Sequence, residues 1–105
     1  MDNGLERFDA IADDLAGSHE DVRRSQMFGA PCIKVKGKAF ACYSGQRMVF
    51  KLRGEAHAAA LALTGAALFD PSGQGRPMRE WVTVPPEQSD RWEELAEAAL
   101  VYVGG

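Results

Sequence analysis

The chain has little cysteine, little histidine, no long apolar run and, over one central stretch, no acidic residue at all. Two cysteines and two histidines in 105 residues do not make a disulfide framework of the secreted kind. Neither Cys32 nor Cys42 has the close Cys or His neighbour that a zinc site uses, so no metal is expected. Apolar runs such as Ala58 to Leu63 stop well short of the roughly 20 residues a spanning helix needs, and no membrane association is expected. The start, Met1-Asp2-Asn3-Gly4, lacks the basic and apolar regions of a secretion signal. These absences together predict a cytoplasmic protein with reduced thiols. His19 and His57 lie far apart, and no residue set converges on acid–base work, so neither an enzyme nor a cofactor is expected. A Cys–His nucleophile would have to be assembled by the fold.

What is present is ordinary globular material: 46% hydrophobic and 26% charged residues, enough for one core in one domain spanning 1–105. No repeat, low-complexity tract or linker divides it. Leu5, Phe8, Ala12 and Leu15, widened by Ile11, fall at helical spacing and predict a helix over Gly4 to Ala16, capped by Asp2 or Asn3 and stopped by Gly17. From Val22 to Leu52 the period becomes two. Ile33 and Val35 alternate with lysines, Phe40 and Cys42 follow Gly37, and Met48, Phe50 and Leu52 close the run. Turn residues at Gly37-Lys38 and Ser44-Gly45-Gln46 make this a three-stranded meander, with a fourth short strand near Arg23 to Phe28 as an option. If Ile33, Val35, Phe40 and Cys42 share a face across a two-residue loop, Cys32 points away from Cys42 and the thiols are isolated.

An alanine-rich helix is expected over Glu55 to Leu63, ended by Thr64-Gly65. A short strand at Leu68-Phe69 and a strand from Met78 to Val84 follow, and the buried face of the latter is ambiguous because Trp81 opposes Val82 and Val84. Trp92, Leu95, Ala96, Ala99 and Val103 predict a last helix from Glu87 to Tyr102, with Trp81, Trp92, Met27, Met48 and Met78 as packing residues. The Gly73-Gln74-Gly75-Arg76 segment has the composition of an anion nest but not of a phosphate loop, and reads as a connector. The order α-β-β-β-α-β-β-α predicts an α+β fold, an antiparallel sheet in two layers with helices packed on one face.

Charge is segregated along this order. Between Val22 and Arg53 stand Arg23, Arg24, Lys34, Lys36, Lys38, Arg47, Lys51 and Arg53, while all 15 carboxylates lie elsewhere in a chain of formal net charge −3. Alternation places Lys34, Lys36, Arg47, Lys51 and Arg53 on the sheet face away from the core, a candidate contact for anionic surfaces or phosphate backbone. The commoner role of such lysines is to keep strand edges and open faces from aggregating. Few aromatics accompany them, Tyr43 being the main one, and a net negative balance does not suit a dedicated DNA-binding domain.

Three stretches together resemble the TfoX/Sxy N-terminal domain family. They are Met27-Phe28-Gly29-Ala30-Pro31 with Val35-Lys36-Gly37-Lys38-Ala39-Phe40-Ala41, then Met48-Val49-Phe50-Lys51-Leu52, then Phe69-Asp70-Pro71 with Gly75-Arg76-Pro77-Met78-Arg79-Glu80-Trp81-Val82 and the Trp92 to Tyr102 helix. The resemblance implies a two-layer α+β fold like that of type III secretion chaperones. It also implies an association with regulation of natural competence in bacteria, where the domain precedes a second one for which 105 residues leave no room. A small regulatory or protein-interaction module is therefore expected, with a protein partner or a second copy as its ligand. The alternative is a nucleic-acid-associated regulator that uses the basic face.

Overall fold

The computed structural model describes residues 4–27, 29–70, 73–75 and 77–105. The capping role expected of Asp2 or Asn3, the end of the first strand at Phe28, and Arg76 lie outside them. Helix α1 (Gly4–Ser18) buries Phe8, Ile11, Ala12 and Leu15, the stripe its spacing dictates. Four strands follow: β1 (Val22–Met27), β2 (Ala30–Val35), β3 (Lys38–Ser44) and β4 (Arg47–Lys51). The optional first strand is thus real, and each strand pairs antiparallel with the next. Two of the connections are two-residue loops in which both residues have positive φ. These are Lys36 (53°) and Gly37 (81°) between paired Val35 and Lys38, then Gly45 (60°) and Gln46 (65°) between paired Ser44 and Arg47. This is the type I′ geometry whose twist matches that of the strands it joins.

Helix α2 (Gly54–Leu61), β5 (Ala67–Phe69) and β6 (Met78–Val84) come next. Strand β6 inserts beside β4 and carries β5 on its outer edge, giving a six-stranded antiparallel sheet in the order β1-β2-β3-β4-β6-β5. The last helical segment is not regular from Glu87, where the helix is expected to start. A 3-10 stretch, Pro86–Arg91, holds Gln88 at φ −107°, ψ 23°, and the α-helix α3 runs only from Trp92 to Gly104. Pro85 and Pro86 fix the entry, and Ser89 and Asp90 favour local turns over helix interiors, so the regular ladder starts after them.

All three helices lie on one side of the sheet. Their buried residues join Val22, Ile33, Val35, Phe40, Ala41, Met48, Phe50, Leu52, Val82 and Val84 in one core. Trp92 is its largest fully enclosed side chain, and its indole N–H donates to the Val84 carbonyl at 3.3 Å. Tyr43 meets Phe8 and Trp92 with ring centroids at 5.8 and 6.4 Å. Gly4 lets α1 sit this close, since a Cβ there would come 2.8 Å from the Tyr43 hydroxyl.

One expectation fails, for a definite reason. The loop after β2 has the two residues assumed, and Lys34 pairs with Ala39, but a β-bulge follows: Ile33 pairs with Ala41 and Cys32 with Cys42. Phe40 is the extra residue. The bulge turns both Phe40 and Ala41 into the core and reverses the parity of everything after them. Cys42 therefore leaves the helical face and stands opposite Cys32. With Val49 and Trp81 the two cysteines form a second apolar cluster on the other side of the sheet, edged by Ala39, Phe69 and Met78. The ambiguity of β6 resolves in the same way: Val82 and Val84 face the helices while Trp81 is buried on the reverse face.

Candidate functional site

Strand alternation and the register assign each basic residue a place. Lys34 alternates with core-facing Ile33 and Val35, and Arg47 and Lys51 flank core-facing Met48 and Phe50, so these three belong to the helix-free face. All three are half-buried. Arg47 donates to the Gly65 carbonyl at 3.0 Å and to Thr83 Oγ1 at 3.4 Å. Lys51 stands 3.9 Å from Glu80. Lys36, in the type I′ loop, instead turns to the helical layer, where its ammonium donates to the Gly104 carbonyl at 3.1 Å. Arg53, past the end of β4, places its guanidinium 5.9 Å from the centre of the Tyr102 ring on α3. The fold thus keeps three of the five together and sends two toward α3.

A second charged group gathers at that end of the sheet. The Tyr102 hydroxyl donates to Glu80 Oε2 at 2.7 Å, and this bond to a carboxylate pushes the phenol's pKa up. Arg24 on β1 ties the sheet to α1, with its guanidinium 2.6 Å from Asp9, 3.1 Å from Asp13 and 5.7 Å from the Phe8 ring centre. These contacts use much of the positive charge of the central stretch inside the domain.

A groove of about 580 Å³ opens where the C-terminal ends of α1 and α3 meet the β2–β3 loop. Val35, Leu100 and Val101 supply its apolar surface, and Ser18, His19, Glu20, Asp21, Lys36, Gly104 and Gly105 its rim. Val101 is 72% exposed, the most exposed large apolar residue described, and Leu5 and Leu61 are the others. Neither helix carries a basic residue in its last turn; Lys36 reaches over from the β2–β3 loop to the end of α3, and the negative dipole end of α1 also faces the groove. Nothing in the sequence signals this groove, because it joins residues near positions 18, 36 and 101 that only the fold brings together.

The thiols occupy a different place from both histidines. Cys32 is 0% and Cys42 3% exposed, and both are free. They are direct partners across β2 and β3, and burial pushes both thiols up while Lys34 acts in the opposite direction. His19 lines the groove on the helical side, whereas the His57 Nε2–H donates to the Arg79 carbonyl at 2.8 Å and fastens α2 to β6. Neither histidine joins the thiols, and among the described residues no three His, Cys, Asp or Glu side chains cluster in a way that could hold a metal ion. Among those residues, too, no helix is long and apolar enough to cross a membrane. At the Gly73–Gly75 turn the backbone N–H groups of both glycines donate to the Asp70 carboxylate at 3.0 and 2.9 Å, so these two N–H groups of the suspected anion nest are satisfied from within.

Set against known proteins, the chain matches the family model described as the TfoX N-terminal domain over residues 13–101. No curated protein and no solved structure matches it.

Proposed function

This chain belongs to the TfoX N-terminal domain family, and from that premise we propose that it is a non-enzymatic regulatory module that acts by binding another protein. Membership connects it with competence-regulator-like domains. The observation that carries the reading is the groove between the ends of α1 and α3. Val101, 72% exposed, stands in this groove beside Leu100 and Val35 with a polar rim around them, and apolar surface rimmed by polar residues is where protein contacts form. Acidic Glu20 and Asp21 and the C-terminus of α1 around it favour a partner that brings positive charge next to an apolar side chain.

The test compares Val101→Asp with Leu5→Asp as baits from the native host, after circular dichroism has shown both to be folded. A partner retained by the wild type and by Leu5→Asp but lost by Val101→Asp supports the reading. Equal retention by all three rejects the groove as the contact surface. Sedimentation of the same variants distinguishes a second copy of the chain from a foreign partner.

A second reading has its own observation: among the described residues no helix covers the face on which Lys34, Arg47 and Lys51 stand. Backbone phosphates would be its ligand. Titration of duplex and single-stranded DNA at two salt concentrations decides it, with Lys34, Lys36 and Lys51 changed to Glu as the control. Salt-dependent binding lost in that variant supports phosphate contact, and no binding at low salt rejects it.

A further inference from the structure

We propose that Cys32 and Cys42 form a two-electron dithiol site that closes to an intramolecular disulfide on reaction with a small peroxide and staples β2 to β3. The register carries the inference. The two residues are direct partners in an antiparallel ladder, where opposed Cα atoms are about 4.5 or 5.5 Å apart. Both spacings lie within the roughly 4.4–6.8 Å that a disulfide spans. The bulge at Phe40 creates this opposition. With regular pairing continued from Lys34 and Ala39, Cys32 would meet Ala41 and no bond could form. The spacing of the two strands is therefore compatible with closure, and the pair already shares one apolar cluster with Val49 and Trp81.

Access limits the rate. Both thiols are buried, and a buried neutral thiol is a poor nucleophile. Cys32 pairs on its other side with Ser25 of β1, and β1 is an edge strand. Fraying of this edge strand would uncover Cys32 from that side and is the access we assign to the peroxide. Once there, the thiolate attacks a peroxide oxygen, giving a sulfenic acid and releasing water or an alcohol. The neighbouring thiol then attacks that sulfur, the S–O bond breaks, a second water leaves, and the S–S bond forms. Two thiols lose two electrons and two protons, and the peroxide is reduced by the same two electrons.

The test treats the folded wild type with hydrogen peroxide and follows intact mass, free thiols and oligomeric state on non-reducing gels. The expected product is a monomer lighter by two hydrogens, reversed by dithiothreitol, formed more slowly than the oxidation of a free thiol and faster in mild urea. Closing the loop from residue 32 to residue 42 is expected to lower the unfolding equilibrium constant by about a hundredfold, read as a higher urea midpoint. Cys32→Ser and Cys42→Ser proteins should gain oxygen instead, with no rise in midpoint. Oxygen adducts on the wild type, disulfide-linked dimers, or a disulfide that lowers the midpoint would each overturn the proposal. So would thiols that survive peroxide even in urea at the unfolding midpoint.

Discussion

Replacing Trp92 by phenylalanine tests whether the core is keyed by one hydrogen-bonded ring. The indole N–H donates to the Val84 carbonyl in a site with no exposure. Phenylalanine removes that donor, and leaving a buried carbonyl without it costs about 1–3 kcal/mol. The edge contact with Tyr43 at 6.4 Å contributes roughly 0.5–1.5 kcal/mol, of which a smaller ring keeps only part. The void falls beside Gly4 of α1, where a Cβ would come 3.1 Å from the far edge of the indole. The sum is a loss of about 2–4 kcal/mol, a fall in Tm of roughly 10–20 °C for a domain of this size. Urea unfolding followed by far-ultraviolet circular dichroism measures it, with an unchanged m-value showing that the unfolded state is not what moved. Trp81→Phe is the internal control. That ring lies in the small reverse cluster, and its loss should cost less than about 1.5 kcal/mol. If Trp92→Phe costs under about 1 kcal/mol, or no more than Trp81→Phe, the hydrogen-bonded ring is not what keys the core.

Further outcomes follow from other sites. Gln46, held at φ 65° in a type I′ loop, is expected to gain about 0.5–1 kcal/mol of stability on replacement by glycine, measured as a higher urea midpoint. Arg24→Ala removes two exposed ion pairs and a ring contact. Solvent screening limits its cost to about 0.5–1 kcal/mol, and 0.5 M salt should shrink the difference from wild type. The Tyr102 phenol has its pKa raised by Glu80, so the neutral form is favoured in the folded state. Its stabilisation is full below the ordinary phenol range and lost as pH rises through the folded pKa. Alkaline ultraviolet titration should show one tyrosine ionising late, and Glu80→Gln should bring it back down.

Most of the elements are legible in the sequence because local rules decide them. The α1 stripe, the alternation in β2 and β4, and the glycines of the two tight loops each follow from neighbours within a few positions. The break before Trp92 is hard to read because Glu87 to Arg91 carry no apolar residue to fix their period, and Pro85, Pro86 and the turn-forming Ser89 and Asp90 govern the backbone there. The cysteine placement was hidden for a subtler reason. Parity counted from a two-residue loop is correct for Lys34 and Ala39 and wrong one residue later, because two adjacent apolar residues, Phe40 and Ala41, both found room in the core. A bulge is a tertiary bargain that alternation alone does not encode. The basic residues divide for a similar reason: Lys36 follows its loop and Arg53 its chain exit, not the strand period.

The strand order β1-β2-β3-β4-β6-β5 also sets a sequence of events during folding. Within the first four strands every spatial neighbour is the next in sequence, so each pairing closes over a short loop, and hairpins of this kind form in about 1–10 μs. The union of β4 with β6 is different, since α2, β5 and the residues leading to Met78 must be looped out first, at a larger entropic cost. Docking of β6 is therefore expected to be the late step. It brings Val84 opposite Met48 and with it the carbonyl that receives the Trp92 indole, so the arrival of this strand completes the seat of the last helix.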